Sequence, residues 1–149
     1  MQLSTKGRYG VRMVLELALQ PEGSATTLSE IARVQGLSEK YLWSLVNPLK
    51  AAGIIGADRG AHGGYTLLRD PATVSVRELL EVLEGGIRLA ACERQQQPCT
   101  RIGQCVMRDV WTELEGGINR VLESVTLADL AARYRNKRGT VADTAMFYI

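Results

Sequence analysis

Residues 27–46, Thr27-Leu-Ser-Glu-Ile-Ala-Arg-Val-Gln-Gly36-Leu-Ser38-Glu-Lys-Tyr-Leu-Trp-Ser-Leu-Val46, hold two helical patterns parted by a single glycine. Thr27-Leu-Ser-Glu30 has the spacing of a capping box, in which hydroxyl and carboxylate satisfy the first free N–H groups of a helix. Ile31, Ala32 and Val34 follow, and Gly36 stops that helix. Ser38 is placed to cap the next one, which carries Tyr41, Leu42, Leu45, Val46 and Leu49 before Gly53. Two short helices joined through Gln35-Gly36-Leu37-Ser38 form a helix-turn-helix. A plain helical hairpin in a bundle has the same pattern up to this point.

The following residues separate the two. Ile54-Ile55 leads into Asp58-Arg-Gly-Ala-His-Gly-Gly64 and then Tyr65-Thr-Leu-Leu68, two short apolar runs around a Gly-rich polar turn. That is a β-hairpin pattern, and a hairpin directly after a helix-turn-helix is a wing. In a helix-turn-helix the second helix enters the DNA major groove with its N-terminal residues towards the bases. Glu39, Lys40, Trp43 and Ser44 fall on its exposed face. Arg59 and His62 at the hairpin tip are placed to approach phosphate or the minor groove, with Gly60, Gly63 and Gly64 allowing close backbone approach.

Upstream, Val11, Val14, Leu15, Ala18 and Leu19 space out a first helix that ends at Pro21-Glu-Gly23. Lys6, Arg8 and Arg12 lie in its N-terminal half, where cations oppose the helix dipole, so an external anion is expected to compensate. Downstream, Ser75-Val-Arg-Glu78 is a further capping box, opening a helix with Val76, Leu79, Leu80 and Leu83 that stops at Gly85-Gly86. From Val106 to Val125 the apolar residues Val110, Trp111, Leu114, Ile118, Val121 and Leu122 form one stripe over about 20 residues, roughly 30 Å of helix. Such a helix, after an already complete small core, is expected to pair with its copy in a homodimer. Gly116-Gly117 weakens it locally unless it serves a close helix approach. Thr126-Leu-Ala-Asp129 caps a final short helix expected over residues 127–134, and residues 139–149 form a tail.

All three cysteines lie in Cys92-Glu-Arg-Gln-Gln-Gln-Pro-Cys99-Thr-Arg-Ile-Gly-Gln-Cys105, a polar stretch without apolar rhythm that reads as a loop. Three thiols in one loop can converge on one point, and thiolate is the ligand favoured by soft metals and iron–sulfur clusters. The odd count argues against a disulfide framework. The paired C-x-x-C spacing of structural zinc sites is absent.

The chain has 149 residues, 46% of them hydrophobic, which suits one compact domain with an appended dimerisation element. No apolar run approaches the roughly 20 residues of a membrane span, and the first residues lack the apolar core of a secretory signal, so a cytoplasmic location is expected. Net charge is only +2, with 8 basic and 6 acidic side chains in residues 1–70 and 10 of each in residues 71–149. A DNA-binding face must therefore come from local placement rather than bulk charge. The sole histidine, His62, sits in the hairpin turn, so no Ser/His/Asp or Cys/His arrangement is available and an enzyme is not expected.

The residues that carry these readings, with Leu3-Ser-Thr-Lys-Gly-Arg-Tyr9, Gly36-Leu-Ser38, Tyr41-Leu42, Arg59-Gly-Ala-His-Gly-Gly-Tyr65, the three-cysteine loop and Val125-Thr-Leu-Ala-Asp-Leu130, resemble the IscR/NsrR/CymR family of bacterial winged-helix regulators. The resemblance runs from Met1 to about Tyr134. It implies a mainly α fold, a winged helix-turn-helix DNA-binding domain with a long C-terminal dimerisation helix. Residues 1–85 would be the DNA-binding domain, 86–105 the cysteine loop, and 106–138 the dimerisation helix and short final helix. It further implies a homodimer on a palindromic double-stranded DNA operator, with a 2Fe–2S or 4Fe–4S cluster on Cys92, Cys99 and Cys105 that reports iron–sulfur, iron, redox or nitric oxide status. Some members carry no cluster and work by other means, such as a protein partner. Read from the residues alone, the cysteines could also sense directly as thiols without metal, with Arg94 and Arg101 favouring thiolate. The DNA-contacting set expected here is Lys6, Arg8, Tyr9, Ser38, Lys40, Tyr41, Trp43, Ser44, Arg59, His62, Gly63 and Gly64.

Two departures stand out. Relatives place a fourth cluster ligand where this chain has Arg108 or Arg8, neither of which can ligate, leaving Asp109, Glu93, a residue of the other subunit, water or a small thiol as candidates. Relatives often carry Glu-Gln where this chain has Trp43-Ser44. An indole cannot accept a hydrogen bond from cytosine but can meet a thymine methyl, so a different operator sequence is expected.

Overall fold

The computed structural model describes residues 3–58, 63–90, 99–101 and 103–146, the last eight of these by backbone alone. Helices α1 (Thr5–Leu19), α2 (Leu28–Gln35) and α3 (Glu39–Ala51) are followed by strands β1 (Ile55–Asp58) and β2 (Gly64–Leu67), a 3-10 turn at Pro71–Thr73, and helices α4 (Val76–Glu84), α5 (Val106–Glu123) and α6 (Leu127–Met146). The architecture is mainly α with one small sheet, a winged helix-turn-helix followed by two longer helices.

At two of the caps read from sequence, Thr27 and Ser75, the hydroxyl half of the box forms. Thr27 Oγ1 accepts from Glu30 N at 3.2 Å and Ser75 Oγ from Glu78 N at 3.2 Å. Gly36 and Gly85 end α2 and α4 at φ +63° and +76°, left-handed backbone that an L side chain resists. α3 continues through Pro48 to Ala51, although proline removes one internal donor.

The core lies where α1, α3 and α4 meet, around Met13, Val14, Leu42, Leu45, Leu49 and Leu79, all 0% exposed. α1 and α4 approach closely because α1 carries glycine at the contact. A Cβ on Gly10 would stand 2.2 Å from Leu83 Cδ1, and one on Gly7 would meet the Glu84 carboxylate. Ser4, the N-cap of α1, ties the same corner by donating to Glu84 Oε1 at 2.8 Å.

β1 and β2 pair antiparallel in the register Ile55↔Leu67 to Asp58↔Gly64. The sheet is anchored to the helix-turn-helix at Thr26, whose N–H and C=O both bond to Tyr65 at 2.9 Å. Gly64 makes this possible, since a Cβ there would lie 2.7 Å from the Thr26 carbonyl carbon and oxygen.

The final helix is longer than the short one expected over residues 127–134, reaching Met146. Its start belongs to the core of the winged helix. Leu127 is fully buried, Leu127 N donates to Val74 O at 2.9 Å, and Val76 N donates to Val125 O at 2.9 Å. α5, in contrast, has no buried residue along its 18 positions. It lies against α4, with Arg77 and Glu123 paired at 3.3 Å. No helix among the described residues is long and apolar enough to cross a membrane.

Candidate nucleic-acid interface and cysteine segment

The N-terminal half of α1 and the start of α3 meet through aromatic rings. Tyr9 packs edge-on against Tyr41, centroids 5.6 Å apart at 85°. The guanidinium groups of Arg8 and Arg12 lie 5.9 and 5.5 Å from the Tyr9 centroid, within cation–π range. Lys6 and Arg8 are exposed beside this cluster. The contact thus sets the cations of α1 next to the helix that sequence reasoning aimed at the major groove.

Arg12 has a different task from the one its position implied. Its Nε donates to Gln35 Oε1 at 2.9 Å and its Nη2 to the Gln35 carbonyl, while Gln35 Nε2 donates to Glu16 Oε2 at 2.7 Å. A cation therefore satisfies the C-terminal end of α2, which the dipole favours, and α1 fixes the angle of the turn before α3. Gln35 and Glu16 were not singled out from the sequence. Glu16 carried a faint signal, a carboxylate on the buried face one turn after an arginine.

Ser38 caps α3 by position, but its side chain makes no capping hydrogen bond, and Ser38, Glu39 and Lys40 are all exposed. A helix start with exposed hydroxyl and ammonium groups is suited to phosphate. One turn on, Trp43 is 56% exposed and its ring meets Tyr65 edge-on, centroids 6.3 Å apart. Helix α3 and the β-hairpin are thereby joined by an indole that still presents more than half its surface. Ser44 is exposed and donates its hydroxyl proton to Tyr41 O at 2.6 Å, which leaves its oxygen lone pairs to accept from a base amino group. Of the wing candidates, Gly63 and Gly64 are half-buried at the start of β2, and Arg59 and His62 lie outside the described residues. The close approach that Gly64 permits is to Thr26 of its own chain.

The cysteine segment enters α5. Cys105 is the N-cap of that helix, half-buried, and its side chain makes no capping bond; Cys99 is exposed. Cys92 lies outside the described residues, as does Glu93. Among the described residues no three metal-ligating side chains converge. Asp109 is exposed in the first turn of α5, one turn beyond Cys105. The donor chemistry suits a thiophilic centre, two thiols within seven residues of chain beside a helix start that favours a negatively charged group.

One carboxylate is clearly perturbed. The Thr126 backbone N–H and then its hydroxyl, both bonded to Asp129 Oδ2, hold the Asp129 carboxyl below its usual range, with Arg133 adding to the effect.

Comparison with known proteins agrees with this geometry. The family model Rrf2, described as iron-dependent transcriptional regulator, matches residues 3–133. The chain is 36% identical over 149 residues to the HTH-type transcriptional regulator CymR of Bacillus subtilis (strain 168), covering 100% of both chains. The solved structure of CymR, the global cysteine regulator of B. subtilis, superposes with a TM-score of 0.73 at 37% identity, covering 89% of this chain and 98% of that one. T. potens IscR superposes with a TM-score of 0.74 at 36% identity, covering 90% and 88%. The relatives are transcription regulators and not enzymes. The chain belongs to the Rrf2 family of transcriptional regulators.

Proposed function

We propose that the chain acts as a homodimer on a palindromic DNA operator and that its affinity for that operator is set by the state of Cys92, Cys99 and Cys105. The observation that carries the DNA-binding part is the exposed face on which Lys6, Arg8, Ser38, Lys40, Trp43 and Ser44 are held together by Tyr9, Tyr41 and Tyr65. Phosphate contacts would come from the cations and the start of α3, base contacts from Trp43 and Ser44. Arg59, His62 and Gly63 extend this proposal to the wing. Residues 1–85 then bind DNA, 86–105 sense, and 106–138 pair the subunits, with the start of α6 also completing the core of the DNA-binding part.

The thiols are proposed to hold an iron–sulfur cluster, 2Fe–2S or 4Fe–4S, that reports iron–sulfur, iron, redox or nitric oxide status. Support comes from the family description, iron-dependent, and from the confinement of every cysteine to one stretch running into α5. Such a cluster would supply a reversible, oxidant-sensitive link between the thiols. Arg108 cannot complete it; Asp109 is the described carboxylate nearest in sequence to Cys105 that can. The test is iron, acid-labile sulfide and the visible spectrum of protein purified without oxygen, beside Cys99→Ala. Coloured protein with stoichiometric iron and sulfide, lost in the variant, supports the cluster. Colourless protein after reconstitution removes it.

A second reading has its own observation. Cys99 is exposed, accessible to oxidants and small thiols, and a relative of 33% identity was solved in an oxidised form, the CymR of Staphylococcus aureus. The cysteines would then be thiol sensors without metal, or the regulator would answer to a protein partner. In either case the DNA-binding face is unchanged, and operator affinity would respond to oxidant or partner in iron-free protein.

A further inference from the structure

Arg12 is an exposed cation on the same helix as Lys6 and Arg8, yet its donors are committed within the chain. Its fork grips one residue twice, with Nε on the Gln35 side-chain oxygen at 2.9 Å and Nη2 on the Gln35 backbone carbonyl. Chemistry fixes the way the Gln35 amide faces: its oxygen meets the guanidinium, and its Nε2 donates to Glu16 Oε2 at 2.7 Å. Glu16 is 7% exposed and stands one turn after Arg12 on α1. The amide is thus clamped between a cation and a buried carboxylate, and these bonds are the side-chain hydrogen bonds that join α1 to α2 among the described residues. Gln35 is the last residue of α2, directly before Gly36, whose left-handed backbone turns the chain towards α3. The Tyr9 ring that packs on Tyr41 of α3 also lies 5.5 Å from the Arg12 guanidinium, so one arginine reaches both sides of the turn.

We propose that Arg12, Gln35 and Glu16 are positioning residues for operator selectivity, setting the angle at which α3 is presented, and that Arg12 is not a phosphate contact. The proposal rests on the reading of this face as a DNA interface. α3 has no side-chain cap at Ser38, so its direction is inherited from the turn and from its packing. Ser44 lies about 9 Å along α3 from Ser38. A tilt of about 10° at the turn would move it by roughly 1.6 Å, enough to break a base hydrogen bond. The long stems of Lys6 and Lys40 can follow such a shift and stay on phosphate. Loosening the clamp therefore costs base discrimination before it costs affinity for DNA as such.

The experiment uses the full chain with an operator selected from a random-sequence pool by the wild-type protein, beside an unrelated duplex of equal length. Both affinities are measured over a range of salt. Arg12→Lys keeps the charge and loses the fork; Arg12→Ala loses both. In each, the ratio of the two affinities is expected to fall by about tenfold, the size of one mismatched base pair, while helix content, binding to the unrelated duplex and the salt slope stay as in wild type. Gln35→Glu sets two acceptors against each other and lowers the ratio alike. Adding Glu16→Gln to Gln35→Glu exchanges amide and carboxylate, restores a donor between them and brings the ratio back towards wild type, a rescue that loss of packing alone would not give. An Arg12→Ala protein whose salt slope falls by about 1, with equal losses on both duplexes, makes Arg12 a phosphate contact and overturns the proposal. A wild-type ratio in Gln35→Glu, or no rescue in the exchanged pair, overturns it as well, and all three leave the DNA-binding reading standing. A wild-type chain that selects no duplex over unrelated DNA removes that reading and the proposal together.

Discussion

Lys40 and Trp43 stand three residues apart on α3, both exposed, and physical chemistry gives them different work. An ammonium near the helix start neutralises phosphate without regard to base identity, whereas an indole one turn on offers an apolar edge to a thymine methyl. Lys40→Ala is therefore expected to weaken binding evenly across operator variants and to lower the slope of log affinity against log salt by about 1. Trp43→Ala should leave the slope alone and flatten the base preference at one position in each half-site. Binding to a randomised operator library at two salt concentrations checks both, and a Trp43→Ala protein with an unchanged preference would remove the indole from base readout. Arg12 shows where sequence reasoning reached its limit. Its place on α1 grouped it with Lys6 and Arg8 as cations awaiting an external anion, yet it donates to Gln35, 23 residues away. Spacing along one helix cannot report a contact made by the turn between two others.

At the scale of the elements, the caps and glycine stops were legible because their chemistry is local. Thr27, Ser75 and Thr126 each bond within three residues. The reason for Gly64 was not legible, since the Thr26 backbone it admits lies 38 residues earlier in the chain. Gly64→Ala should force the wing away from Thr26, where backbone rather than a flexible side chain must give. A loss of about 1–3 kcal/mol is expected, read as a lower melting temperature; a melting temperature at the wild-type value would mean the strand pairing can shift without cost. The length of α6 was missed for a related reason: beyond Tyr134 the residues lack an apolar stripe. The capping box at its start makes a separate prediction. Thr126 donors depress the Asp129 carboxyl in the folded chain, so its contribution is present above the ordinary aspartate range and is lost as pH falls through and below it. Asp129→Asn should therefore lower stability at neutral pH and reduce its decline between about pH 5 and 2. Thermal melts across that range test the sign, and a decline as steep as wild type would show that Asp129 does not contribute to it.

The whole molecule poses the question that one chain leaves open, what covers α5. Met107, Val110, Leu114 and Val121 are 44, 43, 46 and 64% exposed. With Gly117 they recur at alternating steps of three and four residues, the spacing of a helix seam. The groove lined by Val110, Leu114, Gly117 and Val121, about 680 Å³, has no occupant from the same chain among the described residues. An apolar stripe of this length is unusual on a monomer and suits a second copy of the helix. Gly117 falls at the middle of the seam, where a missing side chain lets two axes approach. If the copies meet there, each subunit's cysteine segment ends beside the shared interface, and the two α3 helices are held at a fixed separation, about 34 Å for half-sites one DNA turn apart. Leu114→Glu then places two like charges at the seam. Since Leu114 is already half exposed in one protomer, the cost to the isolated fold should stay within about 0.5 kcal/mol. Sedimentation should show the wild type as a dimer and Leu114→Glu as a folded monomer, with operator binding lost while weak non-specific binding persists. A variant that remains dimeric with full operator affinity would place the subunit contact elsewhere and leave the α5 stripe for another partner.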